Sequence, residues 1–281
     1  MSLSFFAAAE AGLPLAAEPI ANIFGLHFTN SMFFGLIMAA LVMTLFAYAA
    51  RSSQARPHSK LAFAVESLVE FVLGLGEENF GSREKSIKYM PLLLTLFTFI
   101  LFSNLFALVP GVGTVNVTTE EGPIPLLRAF TTDLNATLAL AILTIGTIQV
   151  VAIRQLGIKK HLKHYFTDKP WNPMNLFIGV IEVMGEFIRI ITLSMRLFGV
   201  IYAGEVLIHV VGALAGNYGW AATFPIYLLE IFFGVIQAYL FMMLSMVYLA
   251  IATTDDHADE HTDDSRHSPP NPKPVASALT S

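Results

Sequence analysis

The sequence predicts an all-α polytopic membrane protein with about five membrane-crossing helices, an additional amphipathic helix, and a last pair of long, strongly tilted helices that form a hairpin. Hydrophobic residues make up 55% of the 281 residues and charged residues only 13%, whereas soluble domains are nearer a quarter charged. The mean hydropathy is +0.64, and so much apolar surface needs a bilayer to cover it. The chain has no cysteine, which excludes disulfides and thiolate metal sites.

The first part of the chain predicts one crossing helix followed by an amphipathic helix. Residues 1–28 have a mixed composition that could include a short interfacial helix, and they do not resemble a signal peptide. Residues 29–50 are apolar and long enough, at 1.5 Å per residue, to cross a hydrocarbon layer of ~30 Å. Residues 61–81 repeat apolar side chains with a helical period among glutamates, so we expect an interfacial or hairpin helix with a solvated acidic face.

Two further crossing helices are predicted at residues 89–109 and 133–153. Pro91 should lie in the first turn of the earlier helix, where a missing backbone N–H costs little. Asp133 is the expected N-cap of the later helix, with Asn135 in its first turn. A loop that is rich in glycine and proline connects the two helices.

The chain continues with two apolar segments that are too long for a direct crossing. They cover about residues 175–212 and 222–253 and are separated by the turn-forming sequence GALAGNYGWA. As helices they would be ~57 Å and ~48 Å long, well beyond the hydrocarbon thickness. No proline interrupts either segment, since Pro225 lies near a start. We therefore expect two strongly tilted helices that form a hairpin.

Charge is segregated along the chain and predicts its orientation. Residues 51–88 contain six Lys and Arg, residues 154–171 contain five, and the opposite side has only Arg128. The positive-inside rule therefore places both basic segments in the cytoplasm and the N-terminus outside. We expect residues 1–254 to form one membrane-embedded helical domain, and residues 255–281 to be a disordered, acidic and proline-rich cytoplasmic tail.

Residues 182–209 concentrate ionisable groups in an otherwise apolar helix. A charge at membrane depth is costly, so it should face protein or water, and it is a candidate functional residue by default. At 100° per residue, Glu205 falls on the opposite side of the helix from Arg196. Gly199 and Ala203 lie on the arginine's own side and leave room for another helix. Arg196, which stays protonated at any working pH, is therefore the expected centre of an ion-translocation site.

The remaining candidate residues form one group towards each membrane surface. In a hairpin of the last two helices, the outer group consists of Glu205, His209 and Glu230. The cytoplasmic group consists of Glu182 and Glu186. Gln237 shares a helix face with Glu230. Two groups of ionisable residues separated by one permanent cation suit two aqueous half-paths that do not connect.

Simpler interpretations of the same residues remain open. Glu186 and Arg189 are three residues apart and could form a structural ion pair, Arg196 could lock a helix bundle, and His209 could be an interfacial histidine. Alternative functions are a secondary transporter or channel with a buried arginine, or a structural membrane anchor. The motif GxxxxGK[ST] is absent, so we expect no catalytic nucleotide site, cofactor or nucleic-acid partner.

Three segments resemble the a subunit of the F-type ATP synthases. That family's arginine motif is similar to SMRLFGVIYAGE, its last helix to IFFGVIQAYLFMMLSMVYLAIA, and the start of its long arginine helix to NPMNLFIGVIEVMGE. The resemblance extends over most of residues 29–254. It implies five crossing helices in the lipid bilayer of a bacterial inner membrane, with the last two long and nearly flat. The implied partners are a ring of c subunits and the b subunits of the peripheral stalk.

The resemblance also implies roles for individual residues. Arg196 matches the family's essential arginine, and Gln237 matches the glutamine that partners it. The residues that match polar positions along the proton paths are Glu205, Glu230 and Asn135 on the outer side and Glu182 on the cytoplasmic side. Val200 departs from the pattern, because many members have asparagine there. In the implied mechanism, protons reach a c-ring carboxylate by the outer path and leave by the cytoplasmic path, while Arg196 blocks a direct leak.

Overall fold

A computed structural model describes residues 17–23, 26–52, 60–109, 112, 116–119, 122–157 and 173–254. Within these ranges the helices are α1 Asn30–Ser52, α2 Lys60–Phe80, α3 Arg83–Ala107, α4 Leu134–Leu156, α5 Pro173–Ala215 and α6 Gly219–Thr254. The strands are β1 Pro19–Ile23, β2 Leu26–Thr29, β3 Asn116–Thr119 and β4 Gly122–Pro125. The predictions for residues 1–16, for the basic loop from residue 158 and for the tail from residue 255 lie outside the described residues.

The four elements that were predicted before the long hairpin are confirmed as helices α1 to α4, with one difference in α3. This helix begins at Arg83 rather than at residue 89, because Glu84 in its first turn complements the helix dipole and the polar residues that follow can continue the helix beyond the apolar stretch. Pro91 therefore lies inside the helix, and its predicted place in the first turn is wrong.

The amphipathic helix α2 forms a hairpin with α3. The turn between them contains Gly81, whose φ of 63° suits a residue without a Cβ atom. Gly76 of α2 packs on α3 so closely that an added Cβ would lie 3.1 Å from Ser86. Glu66 and Glu70 are exposed, as expected for a polar face. Its position at a membrane interface stays a prediction.

The two strand pairs were not predicted. β1 pairs with β2 in antiparallel register from Pro19 opposite Thr29, and β3 pairs with β4 from Asn116 opposite Pro125. The described part of the N-terminal segment therefore contains a short ladder, and the interfacial helix considered there is not found at residues 19–23 and 26–29. Each ladder satisfies backbone N–H and C=O groups that an irregular loop would leave to solvent.

The long hairpin is confirmed. α5 has 43 residues and α6 has 36, which corresponds to ~65 Å and ~54 Å at 1.5 Å per residue. They are joined by a 3-10 turn at Gly216–Tyr218, where Gly216 has a φ of 53°, and they pack along each other. Because α6 begins at Gly219, Pro225 lies inside it rather than near its start. The tilt of both helices stays a prediction.

Four stretches of the described residues are long and apolar enough to cross a membrane. They are Asn30–Arg51, Arg83–Ala107, Leu134–Gln155 and Gly179–Ala252. The last stretch contains most of α5 and α6. The chain is therefore an all-α polytopic membrane protein as predicted, while the number of crossings stays a prediction.

The protein core lies where α3, α4 and α5 meet the inner face of α6. Its most enclosed side chains are fully buried and come from all four helices, including Ile100, Ala141, Leu197 and Phe241. Polar contacts also cross it; Asn104 Nδ2, for example, donates a hydrogen bond of 3.1 Å to the carbonyl oxygen of Gly234. This core fixes the rotation of α5 and α6 about their axes, and with it the direction in which their polar residues point.

Candidate ion-translocation site

Arg196 lies on a face of α5 that other parts of the described chain do not cover. Its neighbours Leu193 and Leu197 are buried in the core, whereas Arg196 itself is exposed. Among the described residues, no hydrogen bond or ion pair of its guanidinium is found. The same face continues with exposed Ala203 and with Gly199, where an added Cβ would meet no atom within 4 Å. The surface around the arginine is thus apolar, shallow and open.

Glu205 points to the other side of α5, as the helical rotation predicted. Its carboxylate lies in the electrostatic range of Arg128 and His209. His209, one turn further along, places its Nδ1 2.8 Å from the carbonyl oxygen of Glu205. Glu205 Oε2 is buried and has no hydrogen-bond partner among the described residues. Glu205 therefore belongs to a polar cluster inside the protein.

A short segment between β4 and α4 supplies the cluster's other side. Arg128 is 7% exposed, and its Nη2 donates a hydrogen bond of 3.1 Å to the carbonyl oxygen of Thr132. The 3-10 turn Phe130–Thr132 packs on α5. Its Phe130 ring meets Phe99 edge to face at 5.2 Å and lies so close to Gly35 that an added Cβ would be 2.6 Å away. The ring thus wedges the segment between α1 and α3.

The start of α4 is anchored to the start of α1. Asp133 caps α4 by accepting a hydrogen bond of 3.0 Å from the backbone N–H of Asn135, which confirms the predicted N-cap. Its second oxygen accepts a bond of 2.6 Å from Ser31 Oγ. The Asn135 side chain itself is exposed, and no contact between it and Glu205 is found among the described residues. The anchor holds the Arg128 segment in place.

Glu230 of α6 completes the outer group. It is 4% exposed and interacts electrostatically with Glu205. Its side chain packs on Gly204, where an added Cβ would lie 2.8 Å from Glu230 Oε1. A groove of about 270 Å³ between α5 and α6, lined mostly by apolar side chains including Leu207 and Phe233, leads to it. The structure therefore brings Glu205, Glu230 and His209 together, as the hairpin predicted.

Gln237 lies two turns further along α6 on the side of Glu230. It is 2% exposed, and its Nε2 has no hydrogen-bond partner among the described residues. On the facing helix pair, Ser194 Oγ and Thr137 Oγ1 are 3.3 Å apart and link α5 to α4. The middle of the hairpin thus contains polar atoms with unused hydrogen-bonding capacity.

In the cytoplasmic group of Glu182 and Glu186, one glutamate takes part in an ion pair. Glu186 Oε1 forms an ion pair of 2.5 Å with Arg189 Nη1, and the Arg189 guanidinium lies over the Tyr248 ring at 4.3 Å. The interpretation of this pair as a structural contact is therefore supported. Glu186 Oε2 has no partner among the described residues, and Glu182 is partly buried. Arg189 therefore links α5 to α6, while Glu186 Oε2 has no hydrogen-bond partner among the described residues.

The sequence interpretation missed one residue of the outer cluster, Arg128. It lies far from Glu205 in the chain, so helical periodicity could not connect them. The available signal was that Arg128 is the only cation on its side of the membrane in the predicted topology.

The described residues contain no group of three or more His, Cys, Asp and Glu side chains that could hold a metal ion.

Comparison with known proteins identifies the family of the chain. A model of the family described as ATP synthase A chain matches residues 32–250. ATP synthase subunit a of Acidothermus cellulolyticus is 30% identical over 247 residues, which cover 85% of each chain. Subunit a of Campylobacter jejuni is 33% identical over 80% of this chain and 91% of its own, and that of Aeromonas salmonicida is 33% identical over 80% and 87%. The chain belongs to the ATP synthase A chain family.

Proposed function

We propose that this chain is the proton-translocating a subunit of a rotary F-type ATP synthase, in which Arg196 separates two aqueous half-paths that open onto a ring of c subunits. The observation that carries the proposal is the environment of Arg196. A permanent cation lies on an exposed apolar face without a partner among the described residues, and a charge at membrane depth needs one. A carboxylate on a neighbouring chain that slides over the shallow surface at Gly199 and Ala203 supplies it.

The outer half-path contains Glu205, Glu230 and His209. These groups surround the polar interior of the α5–α6 hairpin, and side chains that bind and release protons within hydrogen-bonding distance of water can pass them onwards. The groove that leads to Glu230 connects this interior with the open face of α5. A proton that arrives from outside is delivered there to a carboxylate of the ring, and the neutral carboxyl group can then enter lipid. Asn135 contributes an exposed amide on the outer side.

The cytoplasmic half-path begins near Glu182 and Glu186. After nearly a full turn of the ring, each protonated carboxyl group meets this side and releases its proton. The free oxygen of Glu186 is available to accept it, while the other oxygen stays paired with Arg189. Gln237 lies between the two paths on α6, where its amide can hydrogen-bond to Arg196 or to the carboxylate that Arg196 attracts.

Arg196 prevents a leak between the paths. Its charge attracts the deprotonated ring carboxylate and repels a cation that would otherwise hop directly from one path to the other. One elementary charge that crosses 100 mV releases about 2.3 kcal/mol, so each leaked proton would lose that amount without synthesis. The arginine therefore couples proton flow to rotation.

The chain is a membrane-sector subunit and not the catalytic one, so ATP is made or hydrolysed on partner subunits. We place its N-terminus outside and its C-terminus in the cytoplasm of a bacterial inner membrane, since the cytoplasmic segments carry most of the Lys and Arg. The proposed partners are the c-ring, the b subunits of the peripheral stalk and the lipid bilayer.

Arg196→Ala tests the proposal in the complete complex. We expect the variant to lose ATP-driven proton pumping in inverted membrane vesicles and to make de-energised membranes passively leaky to protons. Arg83→Ala is the matched control, because Arg83 is exposed and pairs with Glu77 at the surface, so it should pump normally. Normal coupled pumping by the Arg196→Ala complex, at unchanged subunit content, would refute the proposal.

A further inference from the structure

Tyr248 of α6 lies beside the proposed cytoplasmic half-path, and the proposed mechanism gives it no task. Its ring faces the Arg189 guanidinium of α5, whose Cζ atom is 4.3 Å from the ring centroid. A guanidinium over an aromatic ring is attracted by the negative charge density of the ring face, most strongly where water is partly excluded. Both side chains are partly buried. Tyr248 therefore holds Arg189 against the neighbouring helix.

Arg189 holds Glu186 in turn. Its Nη1 donates a hydrogen bond of 2.5 Å to Glu186 Oε1, and hydrogen bonds between two charged groups are among the strongest in proteins. The two residues are three apart on one helix, and such a pair contributes little when it is exposed. Here the side chains are only 33% and 23% exposed, and the Tyr248 ring limits the movement of the arginine. The ion pair is thus fixed by a contact with another helix.

The second oxygen of Glu186 shows what this attachment does. Glu186 Oε2 is buried and has no hydrogen-bond partner among the described residues, which is costly for a carboxylate. Because the side chain is partly exposed, another rotamer would bring the whole carboxylate into water. That movement would break the 2.5 Å bond to Arg189. The arginine therefore keeps the carboxylate, and Oε2 with it, inside the protein.

We infer that Tyr248 is a positioning residue of the cytoplasmic half-path, which acts through Arg189 to hold Glu186 with one oxygen buried and unpaired. A proton from the ring carboxyl group binds to this oxygen and makes Glu186 neutral, and transfer of the proton to cytoplasmic water restores the carboxylate. Arg189 stays protonated throughout. The inference rests on the proposed function of the cytoplasmic half-path.

The first test changes the charge density of the ring and keeps its shape. In inverted membrane vesicles with the complete ATP synthase, ATP-driven pumping draws protons in from the cytoplasmic side. Tyr248→Phe is the reference, and phenylalanine analogues with one, two or three ring fluorines at position 248 weaken the attraction for a cation stepwise. We expect pumping at fixed ATP to fall with each fluorine, by roughly threefold to tenfold in total.

The matched control for this series is Tyr239, which lies on the same helix. Its ring packs on the Phe71 ring, with the centroids 6.3 Å apart, and a contact between two rings does not need a cation. Tyr239→Phe and the same fluorinated analogues at position 239 should therefore all pump at one rate. Equal rates across the series at position 248, or an equal decline at both positions, would overturn the inference.

The second test asks whether Tyr248 acts through the ion pair. Tyr248→Leu removes the ring face and should slow pumping about as much as three fluorines. The same substitution should have no further effect in Arg189→Gln or in Glu186→Gln, where Glu182 keeps the half-path in use, because residues that act in one chain of contacts are not additive. A packing role alone would slow pumping by the same factor in every background, and that result would also overturn the inference.

If Tyr248→Leu does not assemble, the fluorinated series decides, since its side chains keep the shape of phenylalanine. A negative outcome of either test in an enzyme that still pumps leaves the proposed function intact. Failure of the proposed function is recognised separately, by normal pumping of Arg196→Ala.

Discussion

Gly204 of α5 packs directly on the Glu230 side chain of α6. An added Cβ would lie 2.8 Å from Glu230 Oε1, 2.9 Å from Cδ and 3.2 Å from Cγ. Real Cβ atoms essentially never lie within 3.0 Å of another atom, so Gly204→Ala must either displace the carboxylate or separate the two helices by several tenths of an ångström. Both movements change the geometry of Glu230 relative to Glu205.

The size of the effect follows from how little room Glu230 has. It is 4% exposed, and inserting a methyl group into a closely packed interior typically costs about 1–3 kcal/mol. Since about 1.4 kcal/mol in a rate-limiting barrier is a factor of ten, we expect Gly204→Ala to slow ATP-driven proton pumping by roughly tenfold. Glu230→Asp shortens the neighbouring side chain by one methylene, so Gly204→Ala/Glu230→Asp should recover part of the loss.

Pumping is measured in inverted membrane vesicles, with subunit content checked in the same preparation. Gly146→Ala is the matched control, because Gly146 lies on α4 with no atom within 4 Å of an added Cβ, and alanine is the better helix former. If Gly204→Ala pumps as fast as Gly146→Ala, the close contact between Gly204 and Glu230 does not affect pumping, and the prediction is refuted.

Two other substitutions test the outer cluster and its support. Glu205→Gln keeps the shape of the side chain but cannot take up and release a proton, so ATP synthesis in proteoliposomes should fall without loss of subunits; wild-type synthesis would mean that the other outer residues are sufficient. Ser31→Ala removes the 2.6 Å bond to Asp133, and a hydrogen bond to a buried charge is worth about 1.5–3 kcal/mol, so thermal inactivation of the complex should occur at lower temperature. Thr44→Ala on the exposed side of α1, where the hydroxyl donates a hydrogen bond to the Ala40 carbonyl oxygen of its own helix, should leave that temperature unchanged.

Much of the fold followed from the lengths of the apolar segments. The two segments at 175–212 and 222–253 were too long for ordinary crossings, and their length, together with the turn-forming sequence between them and the lack of an interrupting proline, predicted the α5–α6 hairpin. The predicted helix boundaries were less accurate where a helix extends from an apolar stretch into charged residues. The start of α3 at Arg83 lies in a polar stretch that hydropathy assigns to a loop. Four-residue strands such as β3 and β4 carry too few alternations for a periodic signal, so the strand pairs could not be predicted.

The site was predictable within one helix and not between distant segments. The rotation of 100° per residue placed Arg196 and Glu205 on different sides of α5, and the burial of their neighbours agrees. The hairpin then brought Glu230 to Glu205. In contrast, the contact of Arg128 with the cluster depends on a wedge at Phe130 and an anchor at Asp133, and both are tertiary contacts. Side-chain positions that depend on such contacts leave no pattern in a single sequence.

Arg128 and Arg196 have opposite environments. Arg128 is enclosed by its own chain, with a carbonyl and a carboxylate to balance its charge, so its position is fixed. Arg196 is exposed on an apolar face, and insertion experiments put the cost of such a cation at the membrane centre at about 2.5–3.5 kcal/mol. Without a partner for Arg196 in another chain, the protein would retain this cost. In the proposed function, carboxylates that arrive one after another on the neighbouring c subunits remove this cost, and energy must be supplied again for each carboxylate to leave. We therefore attribute the coupling of proton flow to rotation to the exposed arginine.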